Sequence, residues 1–258
     1  MATINGPFLI DENIRKEERK KIDEFLDEMP KQVKNLIVQE SDPNSAFITK
    51  LHFVTSIGNI SRVLYPVGTI IEDTAFVYIP EGNEVYDPVI NANRIHIYNN
   101  LINQLIRKNP KKWVLDFRGN GGGLVQTFFL YLYRFVKSAQ IEYTSGRIYK
   151  LIGDKFYMSD RVVFIYPEEK KVKAESIKVL LNKRSFSGSL YAAYVLKKEL
   201  NAEIIGQFNE TFRLPNLTSL AEIHTKIGIV MVPDEIIQDD ILEDQFHVPI
   251  DNEEYPTF

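Results

Sequence analysis

Two glycine-containing turns carry the residues of this chain best suited to carbonyl chemistry. The first, Gly119-Asn120-Gly121-Gly122-Gly123, follows the apolar run Trp113-Val114-Leu115-Asp116-Phe117 and precedes the hydrophobic segment LVQTFFLYLYRFV at 124–136. Three consecutive glycines allow positive φ and let backbone N–H groups approach a ligand with no Cβ in the way. If 124–136 is a buried helix, the turn also lies at a helix N-terminus, where unpaired N–H groups and the dipole attract negative charge. The turn can therefore serve as an oxyanion hole. Neither common phosphate fingerprint applies: no Gly-Lys-Ser/Thr follows the glycines, and Leu124 stands where the dinucleotide pattern needs its third glycine.

The second turn reads Asn182-Lys183-Arg184-Ser185-Phe186-Ser187-Gly188-Ser189-Leu190, after the apolar strand 177–181 and ahead of an Ala/Tyr-rich segment running to Leu200. A serine at a strand-to-helix turn points its Oγ out of the sheet, and the next N–H can donate to a developing oxyanion. From the residues alone, Ser185, Ser187 and Ser189 equally suit helix capping.

These turns need a scaffold that brings strand C-termini together. Two strand–turn–helix units in one chain imply a largely parallel sheet with helices against it and a site between the two turns. Around them the pattern predicts helices over 11–29 and 32–39, strands at 46–54, 60–68 and 74–80, and a helix through Ile95, Tyr98, Leu101, Ile102, Leu105 and Ile106 that ends at Pro110. Further strands are expected within 141–158, 161–166, 203–206 and 226–232. Residues 1–45 read as an N-terminal helical segment and 46–258 as one α/β core, with no fixed-period repeat and no linker.

Composition narrows the function. The 258 residues are 44% hydrophobic, enough for a sizeable core, and 31 basic against 35 acidic residues give a net charge of -4. That balance gives no general attraction to nucleic acid or to an anionic membrane. With no cysteine, disulfides, thiolate metal sites and a cysteine nucleophile are excluded. No apolar run reaches a membrane span and no signal-like segment opens the sequence, so a cytoplasmic location is expected.

In this order and spacing, the two turns resemble the C-terminal processing (tail-specific) serine peptidases and the related tricorn-core and retinoid-binding modules. The first family signature, Asp-x-Arg-Gly-Asn-x-Gly-Gly, is matched by residues 116–123; the second, Thr/Ser-x-Ser-x-x-Glu, is matched in part by residues 185–190. The strand Phe76-Val77-Tyr78-Ile79-Pro80 and the segment Glu203-Ile204-Ile205-Gly206 are similar to flanking family strands, so the likeness spans about residues 74–251. It implies a spiral, crotonase/ClpP-like α/β core and a peptide or unfolded-protein substrate, with no metal or organic cofactor. The implied roles are Ser187 as nucleophile and the Gly121, Gly122 and Gly188 amides as the oxyanion hole. Asp116 and Arg118 read as scaffold that pins the glycine turn.

The sequence departs from the family in two places. Gly206-Gln207-Phe208-Asn209-Glu210-Thr211-Phe212 lacks the usual catalytic lysine, and Leu190 stands where the family carries glutamate. The tricorn-like arrangement, serine with an upstream histidine, then selects His52 as proton acceptor, with His224 and His247 as alternatives and His96 as a packing residue. The same departures motivate a second reading, a non-hydrolysing relative that binds peptides or small apolar ligands. An oligomer is compatible with either.

Overall fold

The computed structural model describes residues 66–80, 88–123, 125–182, 185–206, 218–225, 228–238, 248 and 250–256. In chain order the elements are β1 (Val67–Ile71), β2 (Thr74–Tyr78), α1 (Pro88–Ile106), β3 (Lys112–Asp116), α2 (Val125–Leu132), β4 (Ser138–Glu142), β5 (Ile148–Ile152), β6 (Lys155–Met158), β7 (Arg161–Ile165), β8 (Ser176–Leu181), α3 (Gly188–Leu200), β9 (Glu203–Gly206), β10 (Thr218–Thr225) and β11 (Gly228–Ile236). The helices expected over 11–29 and 32–39, the strand at 46–54 and the boundary at 45/46 lie outside the described residues.

The expected mixed α/β scaffold is present. A five-stranded sheet runs in the order β1-β2-β3-β8-β9, with β2, β3, β8 and β9 parallel and β1 antiparallel at one edge. Its inner strands are buried almost throughout, as parallel strands covered on both faces must be. On one face Ala75, Val77, Trp113, Leu115, Val179 and Leu181 join the main core with residues of all three helices. On the other, Phe76, Tyr78, Val114, Leu180 and Ile205 form a smaller cluster that Tyr255 partly covers. The C-terminal ends of β3 and β8 open into the two turns, in register, with Asp116 beside Leu180.

The helices form where apolar residues recur at helical spacing. Tyr98, Ile102 and Leu105 line the buried side of α1, and Tyr98 Oη donates to the Tyr131 carbonyl of α2 at 2.6 Å. Phe128 to Leu132 of α2 are all buried, as are Gly188 to Leu196 of α3. Asn201, at φ 51°, ends α3 in the left-handed conformation and donates its N–H to the Lys197 carbonyl at 3.0 Å, while the Ala202 N–H takes the Leu196 carbonyl at 3.2 Å.

Several boundaries differ from expectation. The strand expected at 60–68 is described only from Val67 and runs on to Ile71, passing through Gly68 because the Phe76 carbonyl of β2 lies 2.6 Å from where a Cβ would stand. The stretch 141–158 is divided by turns at Gly146 and Gly153 (φ 81° and 64°) into parts of β4, β5 and β6, which with β7 make a separate antiparallel sheet in the order β4-β5-β6-β7. Helix α2 stops at Leu132 rather than 136, and β10 was not anticipated; it pairs with β11 in a two-stranded sheet. No helix among the described residues is long and apolar enough to cross a membrane.

Candidate active site

Strands β3 and β8 end side by side, and the turns that leave them are joined by a dense hydrogen-bond network. Asp116, fully buried, accepts the Arg118 backbone N–H at 2.9 Å and grips the Arg118 guanidinium through both carboxylate oxygens, at 3.0 and 2.7 Å. A buried fork of this kind fixes the direction in which the chain leaves β3. Gly119, at φ 72°, then turns the backbone and donates its N–H to Asn182 Oδ1 of the other turn.

Asn120 is the hub of the network. Its Nδ2 donates to the Ile79 and Pro80 carbonyls after β2, both at 3.0 Å, and its Oδ1 accepts the Gly122 N–H at 3.0 Å. Its carbonyl accepts the Phe186 N–H at 3.0 Å and the Ser189 hydroxyl at 3.1 Å. One buried side chain and its carbonyl therefore connect three loops. In the sequence Asn120 is one residue of a motif; the signal it offers is an amide side chain between glycines that have no side chains of their own.

The three serines of the second turn separate by role. Ser185 is buried, donates to the Phe117 carbonyl at 2.9 Å and accepts the Asn182 N–H at 2.9 Å. Ser189 is buried and donates to the Asn120 and Phe186 carbonyls. Both are structural. Ser187 is partly exposed, precedes the first residue of α3, and makes no side-chain cap hydrogen bond to that helix. Its backbone sits at φ 52°, ψ -116°, a conformation a non-glycine residue holds only under strain. Capping would need neither that strain nor a hydroxyl without a partner among the described residues.

Gly122 faces Ser187 directly. At φ 108°, a Cβ on this residue would stand 2.7 Å from Ser187 Cβ and 2.9 Å from the Phe186 carbonyl. Gly122→Ala is accordingly expected to cost about 2 kcal/mol or more from strain and overpacking combined, and to displace Ser187. Chemical denaturation measures the first effect and serine-directed labelling the second; an alanine variant equal to the parent in both would show that the turns are not in contact. Gly188 is equally constrained, since its Cβ would meet the Phe128 ring of α2 at 2.1 Å.

Of the three glycine amides expected to receive an oxyanion, that of Gly122 already has an acceptor, Asn120 Oδ1, and so braces the turn itself. The Gly121 and Gly188 N–H groups have no acceptor among the described residues. Gly121 is exposed, and the Gly188 amide opens α3 immediately after Ser187, at the positive end of the helix dipole.

The four histidines are not gathered by the described structure. His52 and His247 lie outside the described residues, and His224 is on β10 with its side chain outside the description. His96 is exposed on α1, its Nε2 2.9 Å from Asn100 Nδ2, beside Phe164 and Glu169 rather than Ser187. It does not pack in the core as the sequence suggested. Leu190 is fully buried in α3. No group of three or more metal-ligating side chains is assembled among the described residues.

Beyond the turns, Tyr191 sits one helical turn after Ser187, with its Oη 2.5 Å from the Oη of Tyr143, the residue that follows β4. Burial drives the Tyr191 phenol far above its ordinary pKa, aided by the neighbouring Tyr143, so Tyr191 stays neutral and the contact acts as a fastener. On the opposite face, burial likewise raises the Tyr78 phenol, with the Asp116 carboxylate adding to the effect and Arg118 opposing it.

No curated protein matches the sequence. Among solved structures, a lipoprotein from Streptococcus agalactiae is similar with a TM-score of 0.54 and 19% identity, over 74% of this chain and 65% of that one. Mature CPAF complexed with lactacystin is similar with a TM-score of 0.50 and 14% identity, over 70% of this chain and 47% of that one. A photosystem II D1 C-terminal processing protease aligns with a TM-score of 0.47 and 19% identity, over 71% of this chain and 42% of that one. The chain thus spans between two fifths and two thirds of the length of these structures, and at such identities the likeness shows the fold alone. The family model of peptidase family S41 matches residues 88–232, more than half of the sequence and a span containing both turns, so this chain belongs to peptidase family S41.

Proposed function

We propose that the protein is a serine peptidase of the tail-specific/tricorn-core type, with Ser187 as its nucleophile. The observation that carries this reading is the strained backbone of Ser187 at a strand-to-helix turn, flanked by Gly122 and by the Gly188 amide, which has no acceptor among the described residues. Ser187 Oγ attacks the carbonyl carbon of a peptide bond while its proton passes to a base, for which His52 is the candidate. The tetrahedral oxygen takes hydrogen bonds from the Gly121 and Gly188 amides, with Gly122 holding the turn in shape. Collapse expels the amine, protonated by the same base, and water then releases the acyl group from Ser187. The parallel sheet with its strand–turn–helix units fits a core of the spiral crotonase/ClpP-like kind.

A non-hydrolysing, peptide-binding relative is the second reading, favoured by the buried Leu190 and the lysine-free segment 206–212. A fluorophosphonate probe separates the two. Labelling of the wild type that disappears in Ser187→Ala supports the peptidase; no labelling of correctly folded wild type overturns it in favour of binding. Loss of labelling in His52→Ala, with folding intact, identifies the proton acceptor.

A further inference from the structure

Residues Ile250–Pro256 pass from the helix side of the parallel sheet, where Ile250 meets the main core, along the edge strand β9 to the opposite face, where Tyr255 packs. Asp251 anchors the crossing: its backbone N–H donates to the Ile204 carbonyl at 2.8 Å, its Oδ2 accepts the Ile204 N–H at 2.7 Å, and Lys197 Nζ contacts its Oδ1 at 2.5 Å. Asn252 bridges Ile205 as a short parallel addition to β9.

At the last rung of the β8–β9 ladder, Leu181 stands opposite Gly206. The Gly206 N–H does not complete that rung; it donates to the Asn252 carbonyl at 2.9 Å. The Leu181 carbonyl is instead taken by Tyr255 Oη at 2.6 Å. This crossing segment therefore satisfies both backbone groups at the position where β8 leaves the sheet to become the serine turn. A carbonyl buried there without a donor would cost free energy and loosen the exit.

Tyr255 reaches the glycine turn as well. The Arg118 guanidinium lies over its ring, 4.9 Å from the centroid, while gripping Asp116 at the exit of β3. A single side chain thus touches the base of each turn, Leu181 ahead of Ser187 and Arg118 ahead of Gly121 and Gly122.

We propose that Tyr255 is a positioning residue for the serine site, holding the serine and glycine turns at a fixed separation from beneath the sheet. It touches no reacting atom and acts through Leu181 and Arg118. The inference deepens the peptidase reading and rests on it for its kinetic consequence, while its structural consequence can be read separately.

The test compares Tyr255→Phe, Tyr255→Ala and the exposed neighbour Glu253→Gln with wild type in the full chain. Tyr255→Phe keeps the ring over Arg118 and removes the bond to Leu181. Its fluorophosphonate labelling rate constant at saturating probe is expected to fall about tenfold with the half-saturating concentration little changed and the melting temperature lower by only a few degrees; Tyr255→Ala falls further and Glu253→Gln stays at wild type. Amide hydrogen exchange at Gly122 and Phe186, whose N–H groups close the two turns, should rise about fivefold or more in Tyr255→Phe with β2 and β3 unaffected. Unchanged exchange at both amides overturns the proposal, as does a uniform rise across the sheet, which would mark Tyr255 as a general stabiliser. If wild type is not labelled at all, the peptidase reading falls and the exchange measurement alone decides the role of Tyr255.

Discussion

Ser187→Gly is expected to abolish acyl transfer and to make the protein more stable. On the proposed peptidase reading, loss of the Ser187 hydroxyl should lower peptide hydrolysis by about a thousandfold or more, to what oriented binding and the amides alone would supply. The stability gain follows from backbone conformation. A non-glycine residue at φ 52°, ψ -116° is strained by about 1–3 kcal/mol, and glycine removes that strain. Against this stands the greater freedom of glycine in the unfolded chain, about 0.5–1 kcal/mol, so the net gain is about 1 kcal/mol. Ser187→Ala is the matched control, because it loses the hydroxyl and keeps the strain. Denaturant midpoints should rank glycine above alanine at equal slope. A glycine variant no more stable than the alanine variant would show that Ser187 is unstrained in solution and remove the main support for its assignment.

Arg118→Met is expected to destabilise the fold by about 3–5 kcal/mol, because it strands a buried carboxylate. Asp116 is 0% exposed, with two of its three bonds to the Arg118 side chain, and methionine fills much of the space without supplying a donor. For a chain of this size the loss corresponds to a fall in melting temperature of roughly 10 °C. Adding Asp116→Leu should recover most of the deficit, since an apolar pair replaces an ion pair at little net cost. Recovery stays incomplete because the Arg118 backbone N–H loses its acceptor. A single variant within about 1 kcal/mol of wild type would mean that water reaches this pair.

The scaffold was legible where sequence pattern and burial coincide. Strands β2, β3, β8 and β9 are short apolar runs, each bounded by polar or turn residues, and the parallel order followed from two strand–turn–helix units. The antiparallel sheet was less readable because β7, with all five residues exposed, is as apolar as a buried strand. Strand β10, in TSLAEIHT, has neither a strong apolar face nor an aromatic, and its definition comes from pairing with β11. At the site, glycine density and the spacing of the serines revealed both turns. What they could not reveal were partnerships formed across the sheet, such as the bracing of Gly122 by Asn120 and of Leu181 by Tyr255. Those depend on residues brought together by folding, with no periodic signal in the chain.

The β3–β8 ladder has a kinetic consequence as well as a geometric one. Its partners Asp116 and Leu180 are 64 residues apart, and the intervening chain contains α2 and the whole antiparallel sheet. The turns of that inserted sheet close over a few residues, so its hairpins meet a small entropic barrier and form early. The parallel rung at Asp116 and Leu180 closes a far longer loop and forms late. On the proposed peptidase reading, a nascent or partly unfolded chain therefore has Ser187 without the glycine turn beside it, and cleavage would be confined to molecules that have finished folding.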